Sequence, residues 1–174
     1  ENRFNKLESE ASNAYKNFPE KVKYQDVDKM HIPLGLKGFF DYEEALVFSN
    51  SIETEKPIFL DFTGLGCENC REMENLVWSK PYIKEILRDE FIIVSLYADH
   101  KYIMKEEDWV VDKSGKTRRM IGEKNLSIEI DKYKNAAQPL YVIIDKYENI
   151  LSGPIGKCSE NQFYQFLKTG LSKK

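Results

Sequence analysis

The chain has 174 residues, 41% hydrophobic and 32% charged, enough for one well-filled core with an extension or insertion to spare. A formal net charge of −3 argues against a general nucleic-acid binder, and the basic run Lys113, Lys116, Arg118 and Arg119, broken by Ser114 and Gly115, reads as a solvated turn. The longest uncharged stretch, Asn135 to Ile144, is far below the ~20 residues needed to cross a bilayer, no N-terminal signal segment is evident, and the start at Glu1 reads as a processed product or an excised domain.

Residues 1–34 are polar and weakly periodic; they read as an N-terminal extension or linker, with Lys21 to Tyr24 as a short strand. Residues 35–174 form the domain proper. Asp41 is placed to cap a helix, with Glu44 three residues on and Ala45, Leu46 and Phe48 as its apolar positions to about Ser51. Pro57 then opens a buried strand, Ile58 to Phe62.

Cys67 to Val77 follows as a helix with Met73, Leu76 and Val77 inward, until Pro81 interrupts and Tyr82 to Leu87 resumes helical spacing. The β-branched run Phe91 to Ala98 is a central strand, so a parallel, right-handed βαβ unit is expected. Residues 99–137 read as an insertion. It holds a hairpin around Asp112-Lys113-Ser114-Gly115 and a helix, Glu123 to Tyr133, with Leu126, Ile130 and Tyr133 inward. Leu140 to Ile144 and Ile150 to Leu151 make a second hairpin, and Ser159-Glu160-Asn161-Gln162 caps a last helix carrying Phe163, Phe166 and Leu167. The order predicts an α/β, three-layer domain with a mixed central sheet flanked by helices and an insertion before the proline-led strand.

The chemistry concentrates in Phe59-Leu60-Asp61-Phe62-Thr63-Gly64-Leu65-Gly66-Cys67-Glu68-Asn69-Cys70. A strand runs through a glycine turn into a helix whose start carries two cysteines three apart. A pair this close closes too short a loop to staple a fold, so it reads as chemical. The unpaired N–H groups at the helix start favour a thiolate at Cys67, the attacking sulfur; Cys70, nearly a turn deeper, resolves the mixed disulfide. Glu68 opposes thiolate formation, with Arg71 as a partial offset, and Glu68 and Asn69 are candidates for partner choice.

Asp61 shares a sheet face with Phe59, where a carboxylate is costly without a task. It is expected beneath the dithiol, relaying a proton to or from Cys70 through water. Gln138-Pro139 opens a strand and is placed to leave backbone free for an extended peptide. Cys158 reads as a lone thiol, Trp78 and Trp109 as packing anchors. Zinc would want a second cysteine pair or two histidines near the first, and the chain offers only Cys158, His31 and His100, so no metal ligand is assigned. No cofactor is expected beyond a Cys67–Cys70 disulfide.

With Asp61, Cys67-Glu68-Asn69-Cys70 and Pro139 in that order, the chain resembles the thioredoxin superfamily over roughly residues 38–170. More narrowly, Pro57 to Gly64, Gly66-Cys67, Asn69-Cys70-Arg71, Met73-Glu74, Trp78 with Pro81, and Ala137 to Val142 are similar to the C-terminal domain of the bacterial transmembrane thiol:disulfide interchange protein, in its Bacteroidetes-like form. This resemblance implies a thioredoxin-like fold, a nucleophile at Cys67, a resolving Cys70, a buried carboxylate at Asp61 and a cis bond before Pro139 facing the dithiol. It also implies a periplasmic protein-disulfide reductase, fed by a membrane-embedded electron donor and reducing oxidised thiol–disulfide partners. Gly66 stands where the family usually has Trp, and Glu68-Asn69 where thioredoxins have Gly-Pro. A non-catalytic binding module is the alternative expectation, and a structural metal-binding domain the third.

Overall fold

The computed structural model describes residues 15–174. A four-stranded sheet of order β2-β1-β5-β6 forms its centre, from β1 (Ile58–Thr63), β2 (Ile92–Tyr97), β5 (Leu140–Ile144) and β6 (Ile150–Ile155). β1 runs parallel to β2 and antiparallel to β5, and β5 pairs antiparallel with β6. The short strands β3 (Val110–Val111) and β4 (Thr117–Arg118) make the predicted separate hairpin. Phe39 lies along the outer edge of β2, its N–H donating to Ile93 O and its carbonyl accepting from Ser95 N.

Strand alternation divides the core into two layers. Phe59, Ile93, Tyr141 and Ile143 face helices α2 (Glu68–Met73), α3 (Pro81–Glu90) and α5 (Glu160–Ser172), against Met73, Trp78, Ile83, Leu87, Phe163 and Leu167. Ile58, Leu60, Phe62, Val94 and Val142 face the other way, against α1 (Tyr42–Ser51) and α4 (Ile121–Tyr133). Trp78 is fully buried and meets Phe59 edge-on at 5.5 Å, while Trp109 donates its indole N–H to Met104 O at 3.0 Å.

Several boundaries and faces differ from the sequence expectations. No strand forms at Lys21 to Tyr24; residues 23–26 are a turn, and Tyr24 has a positive φ. The N-terminal segment nevertheless packs on the domain. Phe18 and Val22 join the α1–α4 layer, and Lys23 N–H donates to Glu44.

The helix after the cysteines continues from Met73 into a π-helical turn, Glu74–Trp78. A π turn holds more residues than an α turn and so shifts the phase. Leu76, expected inward, is 59% exposed, while Val77 and Trp78 turn in.

In α4, Tyr133 is buried, but Ile130 is 44% exposed and Leu126 only half-buried. The inner face instead carries Lys124, Asn125, Ile128 and Glu129, polar residues that find interior partners. Lys124 Nζ donates to Asp41 Oδ1 at 2.9 Å, and Asn125 Nδ2 to Tyr97 O at 3.0 Å. Asp41 also caps α1 by accepting from Glu44 N, so one carboxylate ties α1 to α4. Gly122 allows α4 to start against the loop after β2: a Cβ there would stand 2.7 Å from His100 N.

Candidate functional site

β1 and the turn after it deliver the cysteine pair to the surface. Cys67 and Cys70 are joined in a disulfide with Cα atoms 5.2 Å apart. Cys67 is the N-cap of α2, and its Sγ accepts the N–H of Cys70 at 3.2 Å. Cys67 is half-buried, whereas Cys70 is 1% exposed. One sulfur therefore faces incoming molecules while its partner waits beneath. On reduction, the Cys70 N–H that meets Cys67 Sγ is placed to stabilise a thiolate there.

The turn before Cys67 is held by a residue that sequence reasoning assigned no task. Asp99, just past β2, accepts from Leu65 N at 2.8 Å and from Gly66 N at 3.1 Å. His100 beside it is occupied by backbone groups: its Nδ1 accepts from Tyr102 N, so its Nε2 donates to Asp28 O at 2.8 Å. His31 is exposed. Among the described residues no group of three or more His, Cys, Asp or Glu is placed to hold a metal ion. Cys158 is a half-buried free thiol packed against the α2–α5 layer, and burial pushes its pKa up.

Asp61 lies in mid-β1 on the Phe59 face, the side that α2 covers, and is 1% exposed. Its register partners are Ser95 on β2 and Tyr141 on β5. Ser95 Oγ donates to Asp61 Oδ2 at 2.9 Å. Burial, with the nearby charge of Glu74, pushes the Asp61 carboxyl up to about 7, against the opposing pull of Ser95 and Arg71.

Glu74 is a second buried carboxyl of the site, one turn after Cys70, its pKa raised by burial and held back by Arg71. Arg71, expected to offset part of the charge of Glu68, makes its hydrogen bonds elsewhere. It turns inward, donating through Nη2 to Thr63 Oγ1 at 2.7 Å and to Glu74 Oε1 at 3.0 Å. The sequence signal for Glu74 was a carboxylate directly after the buried Met73. That for Ser95 was a lone hydroxyl in an apolar strand.

The mouth of the site is a shallow depression of about 480 Å³, lined by Gly64, Gly66, Cys67, Glu68, Asn69, Asp99 and Gln138. The Gln138–Pro139 peptide bond is cis, and so is Gly153–Pro154 in β6. Pro139 itself is buried and Gln138 half-buried. Glu68 and Gly66 are exposed at the rim. Asn69 is also exposed, and its Oδ1 accepts from Lys157 Nζ, which reaches Glu72 as well.

A βαβ unit, a β-hairpin with a cis proline at its head, and a Cys-X-X-Cys pair at a helix start define a thioredoxin-like domain. The chain belongs to the thioredoxin-like family, whose model matches residues 39–146. Its redox element is the Cys67–Cys70 disulfide itself, and domains of this family need no cofactor.

Among solved structures it is similar to the DsbH oxidoreductase, at 22% identity and TM-score 0.56, over 84% of this chain and 93% of that one. A putative disulphide-isomerase from Bacteroides thetaiotaomicron matches at 14% identity and TM-score 0.55, over 83% and 98%. The oxidised C-terminal domain of Neisseria meningitidis DsbD matches at 15% and 0.52, over 77% and 99%. At these identities the likeness is one of fold. A search of the curated proteins finds no match. No helix among the described residues is long and apolar enough to cross a membrane.

Proposed function

We propose that this domain is a thiol–disulfide oxidoreductase that reduces protein disulfides. The observation that carries the reading is the vertical order of the site: a reachable Cys67 bonded to a sealed Cys70, with Asp61 buried on the same side of the sheet.

In the reduced form the Cys67 thiolate attacks one sulfur of a partner disulfide. A Cys67–partner bond forms, and the partner's second sulfur leaves as a thiolate and takes a proton. Cys70 then gives its proton, relayed through water, to the Asp61 carboxylate. The resulting thiolate attacks Cys67 Sγ, closes the Cys67–Cys70 disulfide and releases the partner's first sulfur as a thiolate. Two electrons pass to the partner and the disulfide described here is the product. Gln138, Gly66, Glu68 and Asn69 line the depression around the attacking sulfur and, with cis-Pro139 next to Gln138, receive the partner segment.

The narrower assignment follows the motif resemblance to the C-terminal domain of the transmembrane thiol:disulfide interchange protein, supported by the fold shared with the DsbD domain. On that reading the domain is periplasmic and takes its electrons from a membrane-embedded donor domain of the same parent chain. Its substrates are oxidised periplasmic thiol–disulfide proteins.

The test is the equilibrium potential of the pair against glutathione, with trapping of partners on Cys70→Ser. A reductase is expected near the thioredoxin value of about −270 mV and accumulates mixed disulfides through Cys67. A potential near about −120 mV would reverse the direction. A disulfide that resists reduction and traps nothing would favour a non-catalytic binding module.

A further inference from the structure

Gln138, the residue before cis-Pro139, is held from behind by a buried acid. Its Nε2 donates to Glu129 Oε1 at 2.7 Å and to Ala136 O at 3.2 Å. Both amide hydrogens are thereby engaged within the domain. Glu129 is 0% exposed on the inner face of α4, and its second oxygen, Oε2, has no hydrogen-bond partner. A buried carboxylate so incompletely satisfied costs stability, and packing alone would be better served by an apolar side chain. Burial, partly offset by Gln138, pushes its carboxyl up to about 7. With its nitrogen engaged in this way, Gln138, which lines the depression that holds Cys67, is left with its amide oxygen as the group it can offer a partner.

We infer that Glu129 is a positioning residue of this site, orienting Gln138 so that its amide oxygen selects partner segments that bring a hydrogen-bond donor, notably a lysine, beside their disulfide. The inference rests on the oxidoreductase reading above and names its substrate class. The neighbouring groups agree in sign. Glu68 and Asp99 line the same depression, and no Lys or Arg does. A lysine beside the partner's disulfide therefore meets an acceptor and two carboxylates, while Lys157, which reaches Asn69 at the rim, is paired with Glu72. Helix α4 thus contributes to specificity from beneath the surface, through Gln138.

The test compares wild type, Glu129→Leu and Glu129→Gln in steady-state reduction of three disulfides. These are a cystine peptide with lysine beside the bridge, the same peptide with norleucine there, and hydroxyethyl disulfide, which is too small to span the mouth. Wild type is expected to show a lower KM for the lysine peptide than for the norleucine peptide. Glu129→Leu should raise the lysine-peptide KM about fivefold, the equivalent of one hydrogen bond, and leave kcat and the hydroxyethyl disulfide rate unchanged. Glu129→Gln, which keeps an acceptor for Gln138 Nε2, should retain the wild-type KM.

An unchanged lysine-peptide KM in Glu129→Leu, or an equal change for all three substrates, overturns the proposal; Glu129→Met serves if the leucine variant does not fold. A wild-type protein that reduces none of the three overturns the oxidoreductase reading instead. The positioning is then decided alone by the Gln138 side-chain amide protons in NMR. Signals displaced in wild type from the ordinary glutamine pair that return to it in Glu129→Leu uphold it, and identical signals in both sink it.

Discussion

Asp99 Oδ2 accepts the backbone N–H of Gly66 at 3.1 Å, one residue before the cysteine that meets solvent. With Oδ1 on Leu65 N, the carboxylate fixes the path of the turn from β1 into α2. The space is tight, since a Cβ on Gly64 would stand 3.0 Å from Asp99 Oδ2.

Removing that clamp should loosen the turn while sparing the core. Asp99→Ala is expected to cost about 1–2 kcal/mol in urea unfolding, the range for losing hydrogen bonds to a charged group at an accessible site. It should slow reduction of a protein disulfide more than its stability loss explains. Asp99→Asn, which keeps one acceptor oxygen, should fall between. Wild-type kinetics in Asp99→Ala would show that the turn holds itself.

Stability of the oxidised protein should fall as pH rises from about 5 to about 8. Asp61 binds its proton more tightly folded, at about 7, than in the unfolded chain, near the ordinary aspartate value. The stabilisation from that proton is complete below the unfolded pKa and is lost as pH climbs through the folded one; its full size is on the order of 4 kcal/mol, of which about 3 kcal/mol goes between about pH 5 and about pH 8. Asp61→Asn should flatten the curve, leaving the same-signed slope from Glu74 and Glu129, whose carboxyls burial also raises. Urea midpoints at the two pH values decide it, and parallel curves for wild type and variant would contradict the buried proton.

The rate at which Cys70 resolves a mixed disulfide should carry an inflection set by Asp61, tunable in opposite directions. Arg71 lowers the Asp61 pKa and Glu74 raises it. Arg71→Met should therefore move the inflection to higher pH and Glu74→Gln to lower pH, measured by stopped-flow release from a Cys67 adduct. Shifts of the same sign in both variants would remove Asp61 from the step.

Lys124 is the structural counterpart. It is buried between Asp41 and Glu43; burial opposes its charge, but the two carboxylates outweigh that and raise its pKa. Lys124→Met strands Asp41 and should cost about 3–5 kcal/mol. Adding Asp41→Asn should recover much of it in a double-mutant cycle.

The sequence made the redox elements legible because they are local. Cys67, Cys70 and the strand holding Asp61 lie within one short segment, and alternation alone assigns Asp61 its face. The inner face of α4 was misread for a physical reason: Lys124, Asn125 and Glu129 look like a solvent stripe unless Asp41, Tyr97 and Gln138 are known to meet them. Leu76 was misplaced because a π turn changes the period that apolar spacing assumes. Asp99 was silent because its partners are backbone groups, which every residue has.

The two margins of the central sheet are both blunted. Phe39 occupies the backbone of β2, and at the opposite margin Pro154, which has no N–H, breaks the donor row of β6. Among the described residues, neither border offers a long template for cross-chain zippering. On the proposed function, a domain that meets partner polypeptides end-on at its cysteines is thereby kept from sticking to them sideways.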